Sequence, residues 1–261
     1  MERIAIASDI DGTLIFHSNG SYTEIAETYF KEEDMAAIAA WQAKGRFFGY
    51  CTGRPPATVF GLLPDGMEPD FYIACNGAVI LDRNRNIIYE SVIKADDIRK
   101  LFERYKNSFQ LSAFYTDSRD TLYRIMETQR NDVKQVVVHS LDDIRDRKLY
   151  CLAMFFGDNE EAASVCADIN RDCPTLSAFQ NKNVVDVMCK GCSKGDGILR
   201  IKKYLQADVM AGIGDSYNDL PMLLEAQPSF TFHSSPEDIR RQTDYVVDSV
   251  AEAMEILDFG I

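Results

Sequence analysis

Short apolar runs, each followed by a polar or small residue, recur along this 261-residue sequence between stretches with helical spacing. Four runs are apolar at nearly every position, which is typical of parallel-sheet strands covered by helices on both faces. These runs are residues 4–8, 46–51, 71–74 and 209–213. Residues 32–44 place Met35, Ile38 and Trp41 at helical spacing and end at Gly45, a residue suited to a helix C-terminus. The pattern predicts a parallel α/β core, with further helices at residues 194–205, 220–226, 237–241 and 250–257.

The middle of the chain has a different pattern. Two apolar runs, residues 78–82 and 87–90, flank the polar tetrapeptide Arg-Asn-Arg-Asn, which predicts a β-hairpin. Residues 111–116 alternate between two faces, as expected for an antiparallel strand with one covered face. Helical patterns occur near residues 96–106 and 160–171. We therefore predict an α+β insert, residues 84–183, within a core formed by residues 1–83 and 184–261.

Composition and charge narrow the function classes. Hydrophobic residues make up 46% of the chain and no apolar run reaches the roughly 18–20 residues of a membrane span, so we predict no membrane partner. A net charge of -13 argues against nucleic acid as a partner, because binding to its phosphates relies on clustered Lys and Arg. Seven scattered cysteines and an N-terminus unlike a signal peptide predict a reduced, cytoplasmic protein.

Two carboxylates follow the first predicted strand. Asp9 and Asp11 are two residues apart, so in extended chain both side chains point the same way, and Gly12 then permits a sharp turn. Open α/β sheets place ligands at the carboxyl ends of their strands, where this pair lies. One ionised carboxylate beside one that carries a proton suits nucleophilic catalysis with general acid help. An acidic turn that caps a helix is the alternative interpretation.

A second acidic cluster follows the strand at residues 209–213. It consists of Asp215, Asn218 and Asp219. A hard cation such as Mg²⁺ prefers carboxylate and carbonyl oxygens, which the two clusters supply without His or thiolate. The preceding Gly212-Ile213-Gly214 lacks the third glycine of a dinucleotide-binding loop, so that interpretation is weak.

Two further turns carry donors for an anion. Thr52-Gly53-Arg54 follows another strand and offers a hydroxyl, backbone N–H groups and a guanidinium to phosphate oxygens. Lys194 lies in the first turn of a predicted helix, where a cation opposes the helix dipole. An anion at this position would explain the lysine; a solvated side chain is the alternative.

Together these motifs resemble those of the haloacid dehalogenase superfamily of phosphohydrolases, over nearly the whole chain. Asn76-Gly77-Ala78, followed by the hairpin and the large insert, resembles its Cof-type subgroup with a C2B cap. The resemblance implies a Rossmann-like parallel-sheet core with an inserted α+β cap. It also implies a phosphoric monoester hydrolase that requires Mg²⁺ and acts on a small phosphorylated metabolite, such as a sugar phosphate or a phosphorylated cofactor.

The resemblance further implies a role for each motif. Asp9 would attack phosphorus to form an aspartyl-phosphate, and Asp11 would protonate the leaving oxygen and then activate water. The transferring phosphoryl group would be stabilised by Thr52 and Lys194. Implied positions at the phosphate end of the site are Gly12, Gly53, Arg54, Asn76 and Asn218. Implied metal positions are Asp9, Asp11 through its carbonyl, Asp215 as the direct carboxylate ligand, and Asp219, which like Asn218 resembles an outer-shell or phosphate-orienting position.

The insert would act as a lid that selects the leaving group. Candidate contacts in it are Phe114, Tyr115, Tyr123, Arg119, Arg124 and Arg130, for each of which sheet core or a solvated charge is the alternative. Two stretches depart from the family pattern. Residues 14–31 form a stretch that is longer than usual in the family and predict a modified flap. Residues 231–235, Thr-Phe-His-Ser-Ser, stand where relatives often have Gly-Asn-Ala.

Other functions remain open from the sequence. A phosphomutase of the same superfamily also needs both Asp9 and Asp11. A receiver-type signalling domain combines an acidic pair with Thr and Lys but is roughly half this length. A non-catalytic phosphate-binding relative would be expected to lack a catalytic residue, and none is missing here.

Overall fold

A computed structural model describes residues 2–17, 28–60, 67–126 and 133–259. Contacts between Cα atoms group the chain into two compact units. The first, here the core unit, comprises residues 1–52, 64–88 and 193–261, and the second, here the cap unit, comprises residues 53–63 and 89–192. The domain division at residues 84 and 183 stays a prediction.

The described strands and helices alternate along most of the chain. In chain order they are β1 (Ile4–Ser8), β2 (Ile15–His17), β3 (Thr28–Phe30), α1 (Glu32–Ala43), β4 (Phe47–Cys51), α2 (Pro56–Val59), β5 (Phe71–Ala74), β6 (Val79–Asp82), β7 (Ile87–Glu90), α3 (Ala95–Tyr105), β8 (Leu111–Thr116), β9 (Thr121–Arg124), β10 (Lys134–Val137), β11 (Leu149–Phe155), α4 (Asn159–Asp172), β12 (Leu176–Asn181), β13 (Val184–Cys189), α5 (Lys194–Leu205), β14 (Val209–Ile213), α6 (Leu220–Glu225), β15 (Ser229–Phe232), α7 (Glu237–Arg240), β16 (Tyr245–Val247) and α8 (Val250–Asp258).

An eight-stranded sheet, ordered β16-β15-β14-β1-β4-β5-β6-β7, forms the centre of the core unit. The strands from β16 to β5 are parallel, and β6 turns back antiparallel to β5. β1 lies between β14 and β4 and is buried along its whole length, as its uninterrupted apolar sequence predicts. The carboxyl ends of β1, β4, β5 and β14 therefore lie at one edge of the sheet. The predicted parallel α/β core is confirmed.

Helices of the core unit begin and end close to the predicted positions. α1 packs against α8, and α5 packs against α6. α5 begins at Lys194 after the N-cap Ser193, whose hydroxyl accepts a hydrogen bond from the Asp196 N–H at 3.0 Å. This cap places Lys194 in the first helical turn, at the edge of the sheet where β1 and β14 end.

A six-stranded sheet, ordered β10-β9-β8-β11-β13-β12, forms the cap unit. Its pairs are antiparallel except β9–β10, which is parallel; the chain between those two strands includes residues 127–132, outside the described ranges. One face of this sheet packs into a large apolar cluster with residues of α3 and α4. The opposite face contributes Ala113, Leu122 and Ala153 to a smaller cluster that includes Ala57 of α2. α2 thus belongs to the cap unit although it follows β4 of the core.

The predicted flap is only partly described. β2 and β3 pair as a two-stranded antiparallel sheet, and residues 18–27 between them lie outside the described residues. Within the part of the chain that the structure describes, none of the helices combines the length and the apolarity needed to cross a membrane.

Candidate active site

The first acidic turn is held between the ends of β1 and β14. Asp9 is buried, and its N–H donates to the Ile213 carbonyl at 2.9 Å, continuing the β1–β14 ladder by one residue. After Asp9 the chain turns so sharply that the N–H groups of Leu14 and Ile15 both donate to the Ile10 carbonyl, at 2.9 and 2.8 Å. The turn brings Asp11, which is half-buried, next to the same strand ends.

Gly12 is required at this turn for two reasons. Its φ of +84° lies in the left-handed region, and a Cβ there would lie 2.7 Å from Oδ2 of Asp215. The following residue, Thr13, is fully buried and donates its hydroxyl to Oδ1 of Asp215 at 3.2 Å. Sequence reasoning did not single out Thr13 as a site residue, because a hydroxyl after an acidic turn has no distinguishing pattern.

Lys194 lies at the centre of the site. Its side chain has no exposed surface, and its Nζ donates to Oδ1 of Asp9 at 2.7 Å and to Oδ1 of Asp219. Burial alone would lower the pKa of Lys194, but the charges of Asp219 and Asp9 outweigh it and raise the pKa above its ordinary value. Lys194 is therefore charged, and carboxylates occupy the position where the sequence predicted an anion.

Asp219 is saturated by protein donors. Besides the Lys194 ammonium on Oδ1, its Oδ2 accepts the N–H groups of Asp215 and Ser216 at 3.1 and 3.0 Å and the Ser216 hydroxyl at 3.2 Å. Oδ1 of Asn218, which is partly exposed, competes with Asp219 for the single proton of the Ser216 hydroxyl and lies closer to it, at 2.5 Å. The turn after β14 is therefore folded around the Asp219 carboxylate.

Three carboxylates meet around this lysine. Asp9, Asp215 and Asp219 each place one oxygen within 4.8 Å of the others. Burial, followed by the charge of Asp219, raises the pKa of Asp9 well above its ordinary value, and the same two causes raise the pKa of Asp215 to about 7. One ammonium does not compensate three carboxylates, of which Asp9 and Asp219 are buried and Asp215 is half-buried. The three carboxylates offer only oxygen donors, and their negative charge exceeds the positive charge of Lys194. The cluster therefore fits a hard divalent cation such as Mg²⁺.

The other predicted positions lie at neighbouring strand ends or in the cap unit. Thr52 follows β4 and is buried, and its carbonyl accepts the N–H of Asn76 at 3.0 Å. Asn76 is also buried, in a 3₁₀ turn with a left-handed φ of 49°. Gly53 and Arg54 group with the cap unit. The hydrogen bonds in the described residues thus join Asp9, Asp215, Asp219 and Lys194 directly, and Thr52 to Asn76.

The candidate contacts in the cap unit separate by sheet face. Phe114 and Tyr123 pack in the apolar cluster beneath α3 and α4, so both are core residues. Tyr115 packs with the smaller cluster on the opposite face. Arg124 follows Leu122 by two residues and shares that opposite face. Arg130 lies outside the described residues.

Comparison with known proteins agrees with this geometry. A family model described as haloacid dehalogenase-like hydrolase matches residues 6–255. The chain belongs to this family. This chain is 22% identical to the 5-amino-6-(5-phospho-D-ribitylamino)uracil phosphatase YcsE of Bacillus subtilis (strain 168), over 95% of this chain and 90% of the relative.

Solved structures show the same fold. A phosphatase of the superfamily, BT1666 from Bacteroides thetaiotaomicron, superposes with a TM-score of 0.78 at 22% identity, covering 99% of this chain and 95% of that one. The subclass IIB sugar phosphatase BT4131 superposes with a TM-score of 0.76 at 22% identity, covering 98% and 99%. The predicted fold and the predicted class, a haloacid dehalogenase-type phosphatase, are confirmed.

Proposed function

We propose that this hydrolase is a Mg²⁺-dependent phosphatase that cleaves phosphate monoesters of small molecules through an aspartyl-phosphate at Asp9. The observation that carries the proposal is the buried Lys194 that bridges Asp9 and Asp219, with the Asp215 carboxylate beside them and, among the described residues, no ion pair to Asp215. Phosphoryl transfer mainly requires alignment and charge compensation, which such a cluster supplies.

Some oxygens of the site would bind the proposed cation, and others accept hydrogen bonds within the protein. Asp9, Asp215 and the Asp11 carbonyl would hold the cation. Asp219 lies in the same carboxylate cluster, but both its oxygens accept hydrogen bonds from the protein, so we assign it to holding Lys194 and the turn around Ser216. When bound, the cation would offset the charge of the carboxylates and of the phosphoryl group.

The side chains then perform the two half-reactions. Lys194 holds Oδ1 of Asp9, which leaves Oδ2 to attack phosphorus. The new Asp9–phosphorus bond replaces the ester bond, and Asp11 gives its proton to the departing oxygen. A water molecule then attacks phosphorus and passes a proton to Asp11, the Asp9–phosphorus bond breaks, and inorganic phosphate leaves. Thr52 and Lys194 would donate to the phosphoryl oxygens during both steps.

Small phosphorylated metabolites are the proposed substrates. YcsE is named for a phosphorylated ribityl-uracil and BT4131 as a sugar phosphatase, so sugar phosphates and phosphorylated cofactors are the first classes to assay. With a net charge of -13 the chain repels anions at long range, and binding depends on the local cations of the site.

The test is phosphate release from a panel of sugar phosphates and phosphorylated cofactors, with Mg²⁺ and with a chelator. Asp9→Asn should abolish turnover, whereas Asp146→Asn, a matched change at a carboxylate that is 93% exposed, should leave it unchanged. Release that is independent of divalent metal, or near-native turnover by Asp9→Asn, would refute the proposal. Transfer of phosphate that requires a bisphosphate activator would identify a mutase instead.

A further inference from the structure

A chain of buried hydroxyl groups lies behind the turn that carries Asp215. The Phe232 N–H donates to the Ser235 hydroxyl at 3.3 Å, the Ser235 and Thr231 hydroxyl oxygens are 2.8 Å apart, and the Thr231 hydroxyl lies 2.8 Å from the Gly214 carbonyl oxygen. Thr231 has no exposed surface and Ser235 is 5% exposed. The proposed mechanism uses neither residue.

The protons of this chain run in one direction. The Gly214 carbonyl can only accept, so the single hydroxyl proton of Thr231 points to it. Thr231 must then accept the proton of Ser235, which in turn accepts from the Phe232 N–H. The hydroxyls of Thr231 and Ser235 therefore each accept one hydrogen bond and donate another. Removing either hydroxyl leaves a buried polar group without its hydrogen-bond partner.

The Gly214 carbonyl, the last acceptor in this series of hydrogen bonds, belongs to the same peptide group as the Asp215 N–H. The carbonyl of the Gly214–Asp215 peptide accepts from Thr231, and its N–H donates to Oδ2 of Asp219 at 3.1 Å. The peptide is planar, so holding both ends fixes its rotation and the position of the Asp215 Cα. The Ser216 N–H, which donates to the same Asp219 oxygen at 3.0 Å, holds the next peptide, and together they fix the direction in which the Asp215 side chain leaves the backbone. Gly214 can adopt this close approach because it lacks a Cβ, which would lie 2.6 Å from the Cβ of Asp219.

We infer that Thr231 and Ser235 are positioning residues of the proposed cation site: they fix the Gly214–Asp215 peptide and so aim the Asp215 carboxylate at a divalent cation. The inference rests on the proposed function. It assigns a role to the segment where this sequence departs from the family pattern, and it predicts that the hydroxyls affect metal affinity before they affect the substrate.

Calorimetric titration of the substrate-free chain with MgCl₂ is the direct test. Thr231→Val keeps the shape of the side chain and removes its hydroxyl. It should weaken Mg²⁺ binding roughly 10–100-fold, as the loss of other groups that orient metal ligands does. Thr231→Ser should restore binding. Thr243→Val is the matched control, because the Thr243 hydroxyl donates to helix carbonyls of α7 rather than to the Asp215 turn.

Kinetics separate this role from a purely structural one. For Thr231→Val, the Mg²⁺ concentration giving half-maximal rate should rise by the same factor, while KM for substrate and kcat at saturating Mg²⁺ stay close to wild type. Ser235→Ala, which removes only the outer hydroxyl, should show a smaller shift of the same sign, and it carries the test if Thr231→Val does not fold.

Two failures are distinguishable. If wild type binds Mg²⁺ and both Thr231→Val and Ser235→Ala bind it equally well, the positioning role is refuted and the proposed function stands. If the wild-type chain takes up no Mg²⁺ and turns over without it, the proposed function fails and this inference fails with it.

Discussion

Gly77 offers a sharp test of how the site is assembled. It has a φ of +91°, and a Cβ at this position would overlap the Ser193 carbonyl oxygen and lie 3.0 Å from the Ser193 carbonyl carbon. Ser193 is the N-cap of α5, and Lys194 follows it directly. The Gly77→Ala substitution therefore presses on the backbone that delivers the buried ammonium to Asp9.

Two terms set the size of the effect. A non-glycine residue in the left-handed region costs about 1–2 kcal/mol. Overpacking against backbone adds about 1–3 kcal/mol, so the loss of stability should total about 2–5 kcal/mol. Relaxing a carbon–carbon distance of 3.0 Å to the optimum of about 3.5–4.0 Å moves Ser193 by about 0.5–1 Å. A displacement of that size at a catalytic group lowers the rate by about 10²-fold.

Gly45→Ala is the matched control. Gly45 has a similar φ of +74° and lies in the same unit, but a Cβ there would meet nothing within 4 Å. It should lose only the conformational part, about 1–2 kcal/mol, and keep its rate. Urea unfolding gives the stabilities, and kcat with p-nitrophenyl phosphate at saturating Mg²⁺ gives the rates. Equal rates for the two alanine variants would refute the argument that contact with Ser193 positions Lys194.

Three further predictions follow from the buried charges. Asp9→Asn should abolish turnover yet leave the melting temperature of the metal-free protein at neutral pH unchanged or higher. The reason is that burial and the charge of Asp219 raise the pKa of Asp9, so a charged carboxylate is unfavourable there. A lower melting temperature would contradict this prediction. Lys194→Met should lower the free energy of unfolding by about 3–5 kcal/mol because it strands buried carboxylates, whereas Lys202→Met in the same helix should change it by less than about 0.5 kcal/mol; similar urea midpoints for the two variants would contradict it. Burial raises the pKa of Asp34, despite its hydrogen bond from the Ala251 N–H. The folded state therefore holds the carboxyl proton of Asp34 more tightly than the unfolded chain does. The stability that this proton contributes at low pH is lost as pH rises through the folded pKa. Asp34→Asn should therefore gain stability relative to wild type as pH rises from the ordinary pKa of an aspartate, about 4, through the raised folded pKa, measured by urea unfolding, and a pH-independent difference would contradict the assignment.

The strands of the core could be predicted because their sequence is nearly unambiguous. Ala5, Ile6 and Ala7 are apolar on both faces, and only a covered parallel strand buries them all. The two acidic turns could be placed near one another for the same reason, since parallel strands end at the same edge of a sheet. Lys194 opens α5 after a strand of the other sheet, so only the family resemblance placed it in the site.

Hydrogen-bond saturation could not be predicted from spacing. Spacing alone does not distinguish Asp215 from Asp219, which only the family resemblance assigned to different positions. The fold surrounds Asp219 with Lys194, two N–H groups and a hydroxyl. The hydrogen bonds of the Thr231 hydroxyl could not be predicted either, because its partner Gly214 is seventeen residues away, directly after the end of β14. Such contacts depend on register between strands, which a single sequence specifies only through its turns and apolar pattern.

α2 limits how modular this chain can be. Because it follows β4 in sequence and packs with the cap sheet through Ala57, the polypeptide passes between the two units four times, at 52/53, 63/64, 88/89 and 192/193. A chimaera cut only at residues 84 and 183 would leave α2 behind and uncover the apolar face formed by Ala113, Leu122 and Ala153. Exchanging the cap unit between relatives therefore requires transplanting two segments together, and the shorter one begins at Gly53, immediately after the catalytic candidate Thr52.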